Sequence, residues 1–280
     1  MRDVVQVLVA AVAVLVLGVA AWLWLFGAEP LDPVVVQQVR GEVTRVRGGV
    51  EAPASVGEPL RDDDQIRVSD GAAVLSMGQD TRLTLHEGAS LRLLGLAEDG
   101  LRVELENGRV EATVRPGTPS LRVSSRGRGV VAQDADFALA VDDEGTFDLE
   151  ARRGELGVTG VDGVERLGEG QRLYAAPGQS ATVAEIPSAL LLDVPWPEGG
   201  PTKETSITVR GVSAPGARVV GPGGVSVRAG QDGAFTLTLP LAEGQNELTL
   251  EATDLHGRRS TAVGRVVRDT TGPTAEFRLR

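Results

Sequence analysis

Few side chains in this sequence could carry out acid–base or nucleophilic chemistry near neutral pH. The 280 residues include no cysteine and two histidines, His86 and His256. Without cysteine there can be no disulfide, thiolate nucleophile, iron–sulfur cluster or cysteine-ligated zinc. His86 precedes a Glu87-Gly88 turn, and His256 lies in a turn from Asp254 to Gly257, so we expect both histidines to be structural. No Gly-x-Ser-x-Gly pattern in the sequence marks a serine nucleophile.

Two sets of acidic residues could offer oxygen ligands to calcium. The first is the triplet Asp62-Asp63-Asp64, but three consecutive side chains of an extended chain cannot all face one point. We therefore interpret the triplet as a solvated turn ahead of a strand. The second set is Asp254 with Asp269, which would meet at one end of a β-sandwich. We interpret this pair as structural too, and we predict no metal site and no cofactor.

The composition argues against two further function classes, the glycosidases and the nucleic-acid-binding proteins. Paired carboxylates can hydrolyse glycosides, but sugar sites usually add aromatic side chains, and this chain has only five Phe, three Trp and one Tyr. We therefore predict that the protein is not an enzyme and has no catalytic residues. A formal net charge of −11 repels phosphate backbones, since duplex binding depends on clustered Lys and Arg. Nucleic acid is excluded as a partner.

The N-terminal segment is predicted to anchor the chain in a membrane. Val4–Phe26 carries no charge and, as a helix, is long enough to cross the ~30 Å hydrocarbon core of a bilayer. A cleaved signal peptide ending near Gly18-Val19-Ala20 is the alternative. The apolar run continues beyond that point through two tryptophans to Phe26, which favours an uncleaved anchor with an interfacial aromatic belt.

The charges that flank this segment predict its orientation. Arg2 precedes it, whereas Glu29 and Asp32 follow it, and positive charge stays on the cytoplasmic side. Residues 1–3 would then form a cytoplasmic stub, and the protein would be a single-pass protein of the cytoplasmic membrane. The bulk of the chain would be periplasmic or extracellular.

Beyond Pro33 the apolar residues alternate with polar ones, which predicts half-buried β-strands. The clearest sets are Leu83/Leu85, Leu91/Leu93, Leu101/Val103/Leu105, Val110/Ala112/Val114, Phe137/Leu139/Val141 and Phe235/Leu237/Leu239. Acidic or amide residues followed by glycine punctuate these runs and favour tight turns, as at Asp70, Glu87, Asp99, Asn107, Glu144, Asp162 and Asp232. We interpret Asn107-Gly108 as the turn of a hairpin spanning Leu101–Val114. The exported part is predicted to be all-β.

A cluster of prolines divides the exported part into two predicted domains. Pro187, Pro195, Pro197 and Pro201 surround this boundary together with Gly199-Gly200. The first domain would cover residues 34–184 and the second residues 187–280. We expect Leu190-Leu191-Leu192 to form the first strand of the second domain, because an exposed leucine triplet would be costly. Trp196 is expected to pack at the junction.

Short motifs of strands and turns follow one another in a fixed order through residues 34–184. They are Gly41-Glu42-Val43, Asp64-Gln65-Ile66, Asp70–Leu75, Leu105–Val110 and Leu167–Gln171. In this order and spacing they resemble a FecR-like domain, which implies an exported β domain. Signal transducers of that family hold a sigma factor with a cytoplasmic segment ahead of the membrane helix, whereas here only Met1-Arg2-Asp3 precede Val4. We therefore expect the β domain without the anti-sigma activity.

A second set of motifs runs through residues 202–274. It comprises Thr205–Gly211, Ala214–Ala217, Asp232–Phe235, Gly244–Gly257 and Asp269–Pro273. This set resembles a bacterial immunoglobulin-like module of the glucodextranase domain-B type, which implies a β-sandwich. Modules of that type occur in surface and secreted proteins as spacers or accessory domains.

These features together predict a single transmembrane helix, a FecR-like β domain and an immunoglobulin-like β-sandwich. The function we favour is that of a non-catalytic, membrane-anchored envelope protein that binds or scaffolds an envelope protein or a cell-wall partner. One alternative is a FecR-related transmembrane signalling subunit that lacks the anti-sigma segment. The other is an accessory protein to a carbohydrate-active enzyme.

Overall fold

The computed structural model describes residues 32–97, 100–197 and 200–271. The predicted membrane helix Val4–Phe26 and the cytoplasmic stub lie outside these residues, so both stay predictions. Within the described ranges, no helix is long and apolar enough to cross a membrane. The described residues from Pro33 onward belong to one compact unit.

The described chain is nearly all β, as the alternating pattern predicts. The first module contains the strands β1 Val34–Arg40, β2 Val43–Arg47, β3 Val50–Pro53, β4 Gln65–Val68, β5 Ala72–Met77, β6 Thr81–His86, β7 Ser90–Ala97, β8 Gly100–Val114, β9 Ser120–Ser125, β10 Arg128–Ala132, β11 Ala135–Val141, β12 Phe147–Arg153, β13 Leu156–Thr159, β14 Arg166–Leu167, β15 Gln171–Ala175 and β16 Thr182–Glu185. The glycine-containing turns predicted at Asp70, Glu87, Glu144 and Asp162 each lie between consecutive strands.

The first module consists of two sheets that share one long strand. Sheet A has the order β1-β5-β6-β8-β11-β12-β15-β16, and sheet B has the order β3-β2-β4-β7-β8-β9-β10-β13-β14. All neighbours are antiparallel except β8 and β9, which are parallel. The predicted alternating residues of β6, β7, β8 and β11 are buried in one core between the sheets.

The predicted hairpin at Asn107-Gly108 is wrong, because this pair lies inside β8. The N-terminal part of β8 pairs with β7 and β9, whereas Gly108–Val114 pair with β11. Gly108 has a φ of +86°, and a Cβ at this position would lie 2.3 Å from Ala89 Cα. The glycine therefore lets one strand cross from sheet B to sheet A past Ala89, where a side chain would collide.

The described residues of the second module form seven strands in two smaller sheets. They are β17 Leu192–Asp193, β18 Ser206–Ser213, β19 Arg218–Val220, β20 Ser226–Arg228, β21 Ala234–Pro240, β22 Gly244–Thr253 and β23 Arg259–Arg268, with a 3₁₀ turn at Pro222–Gly224. Sheet C has the order β17-β18-β21, and sheet D has the order β20-β19-β22-β23. The predicted set Phe235, Leu237 and Leu239 faces the core between these sheets.

Each module has a hydrophobic cluster of its own. The first runs from Val34 to Ala175 and the second from Leu190 to Ala252. The predicted leucine-triplet strand is shorter than expected, because pairing with β18 begins only at Leu192. Of the two preceding leucines, Leu190 is buried and Leu191 is exposed. Trp196 is half-buried against the second cluster and lies on Gly264. Whether each module folds alone stays a prediction.

Candidate functional site

Charged side chains that are almost fully buried meet where the second module contacts sheet A. β12 presents Phe147, Leu149 and Ala151 to the core, so its alternate residues Asp148 and Glu150 point to the opposite face of the sheet. A strand with one core face would normally expose these carboxylates to water. Both are nevertheless 0–1% exposed, because a turn of the second module covers them.

Small residues make room for this turn on sheet A. Ala138 and Ala140 of β11 lie on the same outer face, with Glu150 opposite Ala138 and Asp148 opposite Ala140. Both alanines are buried, although they point away from the core. The short side chains lie between the longer residues of β8 and β12, and Ala140 borders the same cleft as Asp254, Leu255 and Gly257 of the turn.

The turn that covers these alanines is held in shape by Asp254. Its carbonyl accepts the Gly257 amide at 3.0 Å, and its carboxylate accepts the Arg258 amide at 2.8 Å and Arg258 Nε at 2.7 Å. With both carboxylate oxygens in use, Asp254 fixes Arg258 in the direction of sheet A. These contacts are consistent with a structural role for Asp254, which stays a prediction.

Six residues make up what we call the junction cluster: Asp148, Glu150, Arg172, Asp254, His256 and Arg258. Arg172 of β15 donates two hydrogen bonds to Asp148, from Nε at 2.8 Å and from Nη2 at 2.6 Å. Across the junction, His256 Nε2 lies 3.2 Å from Asp148 Oδ1, and Arg258 Nη2 lies 2.7 Å from Glu150 Oε1. The cluster therefore joins the two modules through opposite charges.

Burial and pairing act in opposite directions on these groups. Burial alone would raise the pKa of Asp148, but hydrogen bonds from Arg172 and His256 outweigh it and lower the pKa to about 2. Burial alone would lower the pKa of Arg172, yet the hydrogen bond to Asp148 raises it overall. Both partners are therefore charged at neutral pH, and neither is available as a proton donor or acceptor.

A second layer of charged residues flanks the cluster on β6 and β8. Arg109 donates to the His256 backbone carbonyl and, from Nη2 at 2.8 Å, to His86 Nδ1. An arginine can only donate, so His86 accepts at Nδ1 and carries its proton on Nε2, which lies 3.5 Å from Glu111 Oε1. The proximity of His86 and the charge of Arg152 lower the pKa of Glu111 to about 2. Burial lowers the pKa of Arg109.

Further contacts extend the junction beyond the cluster. Arg228 Nη1 of β20 lies 2.6 Å from Asp142 Oδ2 of the first module, and Gln231 Nε2 donates to the Ser180 carbonyl at 2.5 Å. Gly216 packs against Tyr174 so closely that a Cβ would lie 2.8 Å from the phenol oxygen. The contacts between the two modules therefore extend well beyond the junction cluster.

The other acidic residues considered for calcium do not converge. Asp64 is buried and paired with Arg47 at 2.7 Å and 2.5 Å, whereas its neighbours Asp62 and Asp63 are exposed in a turn. Asp269 accepts hydrogen bonds from its own neighbour Thr271 and does not join Asp254. In the part of the chain that the structure describes, no group of three or more His, Asp or Glu could hold a metal ion. The absence of a metal requirement stays a prediction.

Sequence reasoning placed His256 and Asp254 in a turn but missed Asp148, Glu150, Arg172 and Arg258. One signal could have found them. In the β11 run Phe137–Val141 the alternate positions are Ala138 and Ala140, where a solvent-facing strand would carry polar residues. An apolar outer face of this kind indicates that something covers the sheet, and the carboxylates on the neighbouring strand lie under the same cover.

Comparisons with known proteins give little further guidance. No protein-family model matches the sequence, and no curated protein matches it. Two crystal structures of a proposed anti-sigma factor from Parabacteroides distasonis each align over 43% of this chain and 59% of their own, with 20% and 19% identity and a TM-score of 0.39. A polysaccharide lyase aligns over 82% of this chain and 40% of its own, with 11% identity and a TM-score of 0.22. The chain thus spans about three-fifths of the length of the first of these structures.

Proposed function

We propose that this chain is a non-catalytic, membrane-anchored envelope protein whose two β modules form one rigid arm for binding or scaffolding. The observation that supports this proposal is the junction cluster. It gathers the more buried of the two described histidines and three buried carboxylates, and each carboxylate faces an arginine or histidine. These groups hold the modules to each other and are closed to a substrate.

The cluster supports rigidity because a buried ion pair is favourable only while its two groups keep close contact in a fixed geometry. Separating the modules would break the contacts of His256 with Asp148 and of Arg258 with Glu150, and removing one partner of a buried ion pair is strongly destabilising. A fixed arm presents its outer surfaces at a constant distance and angle, which suits an adaptor that holds a partner near the membrane. The FecR-like and immunoglobulin-like resemblances are consistent with this role.

In-cell photo-crosslinking tests the proposal. A photoreactive amino acid placed at an exposed position of each module, Thr236 in β21 and Gln37 in β1, should form adducts with envelope proteins. The same adducts should form when residues 1–31 are replaced by an unrelated anchor of the same orientation, because binding resides in the β modules. Protease added to spheroplasts should digest the modules while the protein remains in the membrane fraction.

Two results would contradict the proposal. An absence of specific adducts from both modules would remove the binding role. Loss of the adducts on exchange of residues 1–31, with the protein still accumulating in the membrane, would show that this segment makes the specific contacts and would favour the signalling alternative.

A further inference from the structure

A small apolar groove lies beside the junction, between the last strand of the first module and the loops of the second. Its volume is about 250 Å³, and its lining includes Tyr174, Ala184, Pro187, Leu191, Ala214 and Pro215. Thr182 and Ala184 of β16 lie opposite Tyr174 and Arg172, so alternate β16 residues face this groove. The groove has room for one bulky apolar side chain.

β16 borders the groove with an unpaired backbone edge. Ile186 donates its amide to the Gly170 carbonyl at 2.8 Å, and hydrogen-bonded pairs alternate along an antiparallel ladder. The residues that face β15 are therefore 182, 184 and 186, whereas Val183 and Glu185 direct their amide and carbonyl groups away from the sheet. No described residue bonds to these outward groups. Such an edge is a template for an added strand.

The edge strand β3, at one end of sheet B, differs from β16 in one respect. Ala54 donates to the Val43 carbonyl, so residues 51 and 53 of β3 face outward. Residue 53 is a proline and has no amide hydrogen to donate. The edge of β3 is thereby protected against strand addition, whereas β16 carries no proline.

Exposed apolar side chains continue from the groove onto both modules. Val183 is 44% exposed, Leu191 56% and Val212 41%. Two exposed carboxylates, Glu185 of β16 and Asp193 of β17, lie beside these residues. Neither forms an ion pair or a side-chain hydrogen bond with a described residue. An occupant that combines apolar side chains with basic ones would match this surface.

We propose that an extended segment of a partner protein adds as a strand along β16, places one bulky apolar side chain in the groove and directs basic residues on its other face to Glu185, which alternates with Ala184. This inference rests on the proposed binding function and gives it a location. Strand addition supplies main-chain hydrogen bonds, and the pocket beside the edge selects alternate side chains. A second copy of the chain fits less well, because two such edges would bring like carboxylates together on proteins of net charge −11.

A designed peptide probes this site. The heptapeptide TLRLRLT, capped at both ends and labelled, places its leucines on one face of a strand and its arginines on the other. Its binding to the full chain in detergent is followed by fluorescence anisotropy at low salt. Saturable binding is expected, and the matched peptide TLELELT should bind at least about tenfold more weakly because its charges are reversed, about 1.4 kcal/mol.

Three variants locate the peptide. Val183→Pro removes an outward-facing amide without touching the ladder to β15, and it should weaken binding about five- to tenfold, the effect of one lost hydrogen bond. Val183→Thr keeps that amide and should stay within about twofold of the unsubstituted chain. Ala184→Trp fills the groove and should weaken binding about tenfold or more. Melting temperatures close to that of the unsubstituted chain show that each variant is folded.

Several outcomes would overturn the inference. They are the absence of saturable binding, equal binding of the two peptides, equal binding to Val183→Pro and Val183→Thr, or a concentration-dependent self-association that Val183→Pro abolishes. If Val183→Pro does not fold, the decision passes to Ala184→Trp. Should the in-cell adducts described above persist in Val183→Pro and Ala184→Trp, the binding function stands and only this location is wrong.

Discussion

The arginine–carboxylate pairs at the junction and those along β22 and β23 use the same side chains in opposite surroundings. At the junction, Arg172 and Asp148 are 7% and 0% exposed and approach to 2.6 Å. On sheet D, Arg265 and Glu247 are 71% and 62% exposed and lie 3.5 Å apart. Water solvates the second pair whether or not the two side chains meet, whereas burial closes the first pair off from water.

This difference shows which charges determine the architecture. An exposed pair contributes at most about 1 kcal/mol because solvent screens it. A buried pair adds little compared with apolar packing, but removal of one partner costs about 3–5 kcal/mol. The junction cluster therefore specifies how the modules dock, and the pairs on sheet D serve solubility. The following predictions test this comparison.

The largest effect is expected for Asp148→Asn. The amide keeps the shape of the carboxylate but leaves Arg172 without its ion pair and His256 with Glu150 as its remaining anionic neighbour. We expect a loss of about 3–5 kcal/mol in the free energy of unfolding, measured by urea denaturation of the full chain. The matched control is Glu247→Gln on sheet D. A loss below about 1 kcal/mol for Asp148→Asn would place the junction pair in the same class as an exposed one.

Acid should destabilise the protein through two carboxylates, Asp148 and Glu111, whose pKa values are lowered in the folded state. The unfolded groups titrate near 3.8 for Asp148 and 4.5 for Glu111, whereas the folded pKa of each is about 2. A depressed folded pKa gives stability that is complete above the unfolded value and is lost as pH falls toward the folded value.

We therefore expect stability to fall between about pH 4.5 and pH 2, with Asp148 contributing on the order of 2 kcal/mol. Melting temperatures across this range measure the effect. Asp148→Asn, which cannot titrate at this position, should have a shallower acid dependence. A slope identical to that of the unsubstituted chain would contradict the assignment.

A smaller effect is expected for Arg258→Lys. Arg258 donates from Nε to Asp254 and places Nη2 near Glu150, and a lysine ammonium cannot reproduce this fork. The charge is kept, so we expect a loss of about 1–2 kcal/mol in the free energy of unfolding, corresponding to one or two hydrogen bonds to charged groups. Arg265→Lys on sheet D is the control and should have no measurable effect. Equal effects of the two substitutions would remove the distinction between the regions.

The smallest effect is expected on sheet D itself. Glu247→Gln should change the free energy of unfolding by less than about 0.5 kcal/mol, and about 0.5 M salt should remove even that difference by screening. Chemical denaturation at low and high salt measures it. A salt-independent loss above about 1 kcal/mol would show that the exposed pairs also carry structure.

The sequence was sufficient for the β character of the chain, because alternation depends on local spacing. Leu83/Leu85 and Phe235/Leu237/Leu239 reach the predicted cores since a strand with one apolar face has one way to bury it. The hairpin predicted at Asn107-Gly108 was wrong for a physical reason. The pair indicates only that a positive φ is tolerated, and a long strand that crosses between sheets uses the same conformation as a hairpin. The neighbour that decides between them, Ala89, is distant in sequence.

The site was harder to predict than the fold. Asp148 and Glu150 occupy the polar positions of an alternating strand, which is the pattern of a solvent-exposed face. Their burial depends on a turn more than a hundred residues later in the chain. That turn was recognised from Asp254 and Gly257, but its docking surface follows from the register that sets Ala138 and Ala140 beside the carboxylates. Register across sheets is a tertiary property, so sequence spacing alone does not reveal it.

The central claim is that the junction cluster fixes the two modules in one arrangement. Because the chain has no cysteine, spin labels can be attached to two introduced cysteines, Gln37→Cys in β1 and Thr236→Cys in β21. Pulsed electron resonance should then give one narrow distance distribution for the labelled chain. Adding His256→Ala and Arg258→Gln should broaden it, because both substitutions lie in the second module and remove its contacts with Asp148 and Glu150. A broad distribution before these substitutions, or a narrow one that they leave unchanged, would contradict the claim.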